Sequence, residues 1–74
     1  MQPYANLSGG SGVTAYEVGT DSIKVQFHEG KSYLYTYQSV GRQNVEHMKL
    51  LASQGRGLNT FINQNPNVKH GYIR

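Results

Sequence analysis

SIKVQFHEGKSYLYTY, residues 22–37, contains two alternating runs of side chains joined by a glycine turn. The apolar residues of the first run share one face: Ile23, Val25 and Phe27. In the second run every odd position from 33 to 37 is tyrosine. A period of two is typical of a strand with one buried face. The short link Glu29-Gly30 therefore predicts an antiparallel hairpin.

The sequence on either side of this hairpin adds a strand before it and helices after it. Residues 13–18 are rich in β-forming side chains and are followed by turn residues, which predicts another strand. Apolar residues recur at helical spacing over 42–54, and Gly55 is suited to end that helix. A shorter helix begins near Leu58 and ends at Asn65-Pro66. We predict an α+β fold, in which a three-stranded antiparallel meander is followed by one long and one short helix packed on one face.

The first twelve residues differ from the rest in composition. Residues 8–12 read Ser-Gly-Gly-Ser-Gly, which is typical of a flexible linker. Only Tyr4 and Leu7 bring substantial apolar side chains to this segment. We predict a flexible N-terminal arm over residues 1–12 and a single domain over residues 13–74.

Composition limits the classes of function and partner. The chain of 74 residues has a formal charge of +3, no cysteine and 36% hydrophobic residues. A thin core without disulfides favours self-association, so a homo-oligomer is expected. No apolar run reaches membrane-spanning length and no leader pattern is present, which predicts a cytoplasmic protein without a membrane partner. The modest positive charge permits an anionic partner without requiring one.

The order of the motifs resembles the KTSC domain, a short module that occurs at the C-terminus of some lysyl-tRNA synthetases and as a stand-alone bacterial or phage protein. The resemblance covers about residues 11–72 and centres on Tyr33-Leu34-Tyr35, which matches the family's Tyr-x-Tyr hallmark. Ser39-Val40-Gly41 stands where the family usually has a Val-Pro pair, which predicts a looser entry into the helix. The family has no established activity to transfer, and its synthetase context associates it with RNA.

Catalytic and metal-binding chemistry is not predicted. The acidic residues are scattered over strand ends, turns and a helix, so none forms a pair placed for acid–base work. His28, His47 and His70 lie on three different elements and lack the spacing of a zinc site. We therefore expect a binding protein that is not an enzyme and has no cofactor.

The tyrosine run is one candidate binding surface. Tyr33, Tyr35 and Tyr37 project from one side of the predicted strand. Exposed strand aromatics stack on the bases of single-stranded nucleic acids, at about 1–3 kcal/mol per base. The alternative is that Tyr33 and Tyr35 belong to the core, which would leave only Tyr37 for a ligand.

The segment between the two helices is a candidate phosphate site. Gly55 and Gly57 allow backbone N–H groups to turn outward, and Arg56 supplies a forked cation. Arg42 and Lys49 precede Arg56 at intervals of seven, so the three could form a basic stripe. The alternative is a glycine helix stop beside solvated charges.

Three functions are consistent with these features. The first is binding of RNA or single-stranded nucleic acid through a basic and aromatic surface. The second is an oligomeric protein that sequesters a nucleotide or nucleotide signal. The third is a protein-contact or oligomerisation module.

Overall fold

A computed structural model describes residues 1–7 and 12–73. The described residues form a four-stranded antiparallel sheet in the order β1-β2-β3-β4, followed by four helices. The strands are β1 Gln2–Pro3, β2 Val13–Val18, β3 Ser22–Phe27 and β4 Ser32–Thr36. The helices are α1 Tyr37–Val40, α2 Arg42–Gln54, α3 Leu58–Gln64 and α4 Pro66–Lys69. The predicted α+β class is confirmed, and the sheet has one short strand more than predicted.

The register of the central hairpin decides which side chains are buried. Ile23 pairs with Tyr35 and Val25 pairs with Tyr33, so these residues share the sheet face that the helices cover. Ile23, Val25 and Tyr35 are at most 1% exposed. At the hairpin end the Gly30 φ of 88° closes the turn, a conformation that favours glycine. The alternation in the sequence therefore produced the expected buried face.

The passage from sheet to helices is well capped. Thr36 and Ser39 form a reciprocal capping box around the first turn of α1. Gly41, with a φ of 95°, then redirects the chain into α2. The predicted looser entry is therefore not seen. Tyr37 is the first residue of α1, so it does not continue the strand as predicted.

The helical region contains the two predicted helices and two single turns. Gly55 ends α2 in the left-handed conformation with a φ of 76°, as its position in the sequence indicated. Asn65-Pro66 follows the end of α3, as predicted, and Pro66 is also the first residue of α4, a position that proline favours. The core joins helices and sheet. Its fully buried members outside the sheet include Val45, Met48, Leu58 and Val68.

The N-terminal segment packs on the domain, in contrast to the predicted flexible arm. β1 pairs antiparallel with β2, placing Gln2 opposite Tyr16. Tyr4 is 6% exposed and belongs to the core, and the Leu7 N–H donates to the Gly55 carbonyl at 2.7 Å. Burial of one aromatic ring together with pairing at an open sheet edge explains this contact. Residues 8–11 of the predicted arm lie outside the described residues.

The C-terminal tail contacts the opposite edge of the sheet. Leu34 and Ile73 exchange two backbone hydrogen bonds, at 2.9 and 2.7 Å. The three longer strands thus have a short partner on each side, β1 beside β2 and Ile73 beside Leu34 of β4. Within residues 1–7 and 12–73, no helix is long and apolar enough to cross a membrane.

Candidate functional site

A cleft of about 490 Å³ opens between the turn end of the β3–β4 hairpin and the helices α3 and α4. This volume lies within the range of about 300–1,000 Å³ that is common for small-molecule sites. We call it the hairpin cleft. Its floor is formed by Phe27, Tyr33, Tyr35 and Ile62, and its polar rim by His28, Glu29, Asn59, Asn63 and Lys69.

The floor of the hairpin cleft is aromatic. The ring of Tyr33 lies 5.4 Å from that of Phe27 and 4.2 Å from that of Tyr72. Phe27 and Tyr33 are half-buried and lie near the turn end of the hairpin. The strand period that buries Val25 therefore also presents two rings to the cleft. Such a floor suits a planar ligand that stacks or packs edge-on.

Two amide side chains of α3 stand above this floor. Ile62 is 4% exposed and anchors α3 on the core. Asn59 and Asn63 are one helical turn apart and lie on the same flank of Ile62, so both line the cleft. Neither amide makes a side-chain hydrogen bond to any residue that the structure describes. Each therefore keeps a donor and an acceptor for a ligand.

The charges at the rim are few. Lys69 at the end of α4 brings one permanent positive charge, and it forms no ion pair within the described part of the chain. His28 lies on the same rim, as does the carboxylate of Glu29. The cleft can therefore attract one anionic group but offers no extended basic track.

The predicted tyrosine surface divides among three environments. Tyr35 is 1% exposed, and burial, followed by the neighbouring Tyr33 and Tyr72, raises the pKa of its hydroxyl to about 12. Tyr35 is thus a core residue, which agrees with the alternative interpretation, and it offers no exposed ring face for stacking. Tyr33 is half-buried in the cleft floor, and Tyr37 lies outside the cleft beside α2. The three rings do not form one surface because the strand ends before Tyr37.

Tyr37 belongs to a separate polar network. Its hydroxyl donates to the Glu46 carboxylate at 2.7 Å, and this bond raises the pKa of Tyr37 and lowers that of Glu46. The Lys49 ammonium lies 3.0 Å from the same carboxylate and donates to the Thr20 carbonyl at 3.1 Å. Arg42 and Lys49 also stand 5.9 and 5.7 Å from the centre of the Tyr37 ring. The charge of Lys49 is therefore largely engaged inside the protein.

The N-terminal segment contacts both ends of the predicted phosphate loop. Gly55 is buried, its N–H bonds to the end of α2, and its carbonyl accepts from Leu7. The Leu58 N–H, at the start of α3, donates to the Tyr4 hydroxyl at 3.3 Å. The backbone groups of Gly55 therefore already have partners, which argues against its predicted part in binding phosphate. Arg56 and Gly57 are exposed.

The basic stripe is also interrupted. Arg42 and Arg56 are exposed at opposite ends of α2, while Lys49 between them is paired with Glu46. Only the two arginines of the predicted stripe are therefore available to an anionic partner. Within the described ranges, no three histidine or acidic side chains come together as a metal site.

No family model, curated protein or solved structure matches the chain. Sequence reasoning identified Tyr33 and Tyr35 but missed the contribution of Asn59, Asn63 and Lys69. The available signal was the helical spacing of Asn59 and Asn63 beside the core residue Ile62.

Proposed function

We propose that the protein is a non-enzymatic binding module that holds a nucleotide in the hairpin cleft. One observation supports this most directly. An aromatic floor formed by Phe27 and Tyr33 lies beneath the paired amides of Asn59 and Asn63 in a single cleft. A planar, nitrogen-rich ring can stack on the floor while its polar edge meets the amides.

RNA binding along the surface of α2 has less support. It requires a run of free cations, and Lys49 is paired with Glu46. It also requires exposed rings, and Tyr37 is the only member of the predicted run that lies beside the basic residues. The experiment below therefore distinguishes binding in the hairpin cleft from binding of an RNA backbone at Arg42 and Arg56.

We also propose kinship with the KTSC domain, a cytoplasmic location and self-association. The order of Ile23-x-Val25-x-Phe27, Gly30 and Tyr33-x-Tyr35 supports kinship with the KTSC domain. A thin core supports association of copies. The contacts of the sheet edges argue for association through another surface.

Calorimetric titration of the four nucleoside monophosphates tests the proposed site. We expect Tyr33→Leu to weaken binding by about tenfold or more, since base stacking on an aromatic ring contributes about 1–3 kcal/mol. Tyr37→Leu is the matched control, because it removes another half-buried tyrosine that lies outside the cleft. It should leave the affinity unchanged.

The opposite pattern would overturn the proposal. Loss of binding in Tyr37→Leu and Arg42→Gln, with Tyr33→Leu unaffected, would place the ligand on the α2 surface. Should Tyr33→Leu unfold, Asn63→Leu provides the second test, because Asn63 is exposed and contributes little to stability.

A further inference from the structure

From the rim of the hairpin cleft, we infer that its ligand is an adenine nucleotide with a single phosphate, the kind of ligand that adenosine 5′-monophosphate represents. This inference rests on the proposed function and narrows the ligand to one base, adenine, and to one phosphate group. It draws on the amide pair of α3 and on the charge balance around the opening. Both features belong to residues that the core does not require.

The amide pair favours adenine over guanine. A side-chain amide offers one donor and one acceptor group side by side. Adenine presents the complementary acceptor and donor at N7 and N6, whereas guanine presents two acceptors at N7 and O6 that arginine or lysine satisfies better. Asn59 and Asn63 line the cleft, which contains no arginine among its described lining residues.

The repeat of the amide along α3 gives the base edge two points of contact. Asn59 is half-buried and Asn63 is exposed, and the two residues are one helical turn apart along α3. A ring that stacks on Tyr33 can then meet an amide at its inner edge and another nearer to solvent. This arrangement orients the base and leaves the sugar towards the opening.

The rim charges favour one phosphate. Lys69 can pair with a phosphate group, and its flexible ammonium acts as a point charge. Glu29 on the same rim repels each additional negative charge. Each phosphate beyond the first therefore meets the carboxylate of Glu29, while the described lining residues include no second lysine or arginine to offset it.

The test measures phosphate preference and base preference separately by calorimetry. Adenosine 5′-monophosphate should bind about tenfold more tightly than adenosine, and this ratio should fall to about one in Lys69→Gln. Lys24→Gln is the control, because Lys24 is an exposed residue of β3 that does not line the cleft. It should keep the full ratio. Adenosine triphosphate should bind no more tightly than the monophosphate.

Base preference is measured with adenosine and inosine, which differ in the group at position 6 of the ring. We expect adenosine to bind more tightly, and the difference to disappear in the double variant Asn59→Leu, Asn63→Leu. Equal binding of the two nucleosides to the parent protein would overturn the assignment of adenine. Persistence of the phosphate preference in Lys69→Gln would overturn the role of Lys69.

These results are distinguishable from failure of the proposed function. If nucleotides bind and Tyr33→Leu weakens them, but without preference for adenine or for one phosphate, only this inference fails. If no nucleotide binds at millimolar concentration, or if Tyr33→Leu has no effect, the proposed function fails as well.

Discussion

The hydroxyl of Tyr4 accepts a hydrogen bond from the backbone N–H of Leu58 at 3.3 Å, across a sequence separation of 54 residues. This bond joins the N-terminal segment to the start of α3, the helix that carries Asn59 and Asn63. The N-terminal segment is therefore part of the folded domain and supports the helix that lines the hairpin cleft. It also bonds to backbone groups at both ends of the loop for which the sequence predicted a phosphate.

Removal of the Tyr4 hydroxyl should lower stability measurably. Tyr4→Phe leaves the Leu58 N–H without this partner in a buried environment, which costs about 1–3 kcal/mol. Tyr4→Ala also removes the ring from the core and should cost more, about 3–5 kcal/mol. Urea unfolding of both variants measures this order. A parental free energy of unfolding in Tyr4→Ala would show that the N-terminal segment does not dock.

Gly55→Ala should reveal the contact between α2 and the N-terminal segment. A Cβ on Gly55 would lie 2.6 Å from the Cβ of Ala5, in addition to the strain of a φ of 76°. Gly30→Ala is the control, because Gly30 has a φ of 88° but no atom within 4 Å of the added Cβ. Both substitutions carry the left-handed penalty of about 1–2 kcal/mol, and only Gly55→Ala adds a clash.

The double variant Gly55→Ala, Ala5→Gly separates the two contributions. Removing the Cβ of Ala5 relieves the closest contact, so the double variant should recover towards the stability of Gly30→Ala. Chemical denaturation measures the three values. No recovery in the double variant would contradict the contact between Ala5 and Gly55.

Tyr35 should make the protein sensitive to alkaline pH. Its folded pKa of about 12 lies above the ordinary value of 10.0, so the unfolded state loses this proton first as the pH rises. Stability should therefore be intact below about pH 10 and decrease between about pH 10 and 12. Absorbance at a tyrosinate wavelength should show one tyrosine that titrates near pH 12. If this titration step remains in Tyr35→Phe, its assignment to Tyr35 is contradicted.

Ile23 and Phe27 share a strand face but should respond differently to truncation. Ile23 is 0% exposed, so Ile23→Ala should cost about 2–5 kcal/mol and leave nucleotide affinity unchanged in the folded fraction. Phe27 is half-buried in the cleft floor, so Phe27→Ala should lower the free energy of unfolding by less than truncation of a fully buried phenylalanine would. It should also weaken nucleotide binding. Paired measurements of unfolding and of binding test this division. Equal effects of both variants on affinity would contradict it.

Local sequence patterns predicted much of the fold, but they did not predict contacts between residues that are far apart in the sequence. The alternation around Val25 was enough to predict the hairpin, and the glycine at position 55 was enough to predict the end of α2. The docking of Tyr4 was missed because it depends on the edge of β2 and the start of α3, which no local pattern brings together. The pairing of Lys49 with Glu46 is different, because the two residues are three apart on one helix face, and this spacing already indicated that Glu46 weakens the basic stripe.

The candidate site was predicted less completely than the fold. The strand period places Tyr33 and Tyr35 on one face of the sheet, so the sequence allowed both a binding surface and a core position for them. The register of β3 and β4 then decides that this face is the covered one. Asn59 and Lys69 join the cleft only through the packing of α3 and α4, which spacing along the chain does not fix.

The central claim is that a nucleotide occupies the hairpin cleft, and amide chemical-shift mapping by NMR tests it most directly. Titration with adenosine 5′-monophosphate should shift the backbone signals of Tyr33, Asn59, Asn63 and Lys69, while those of Arg42 and Arg56 stay in place. Shifts confined to Arg42, Lys49 and Arg56, or no shifts at millimolar nucleotide, would contradict the account.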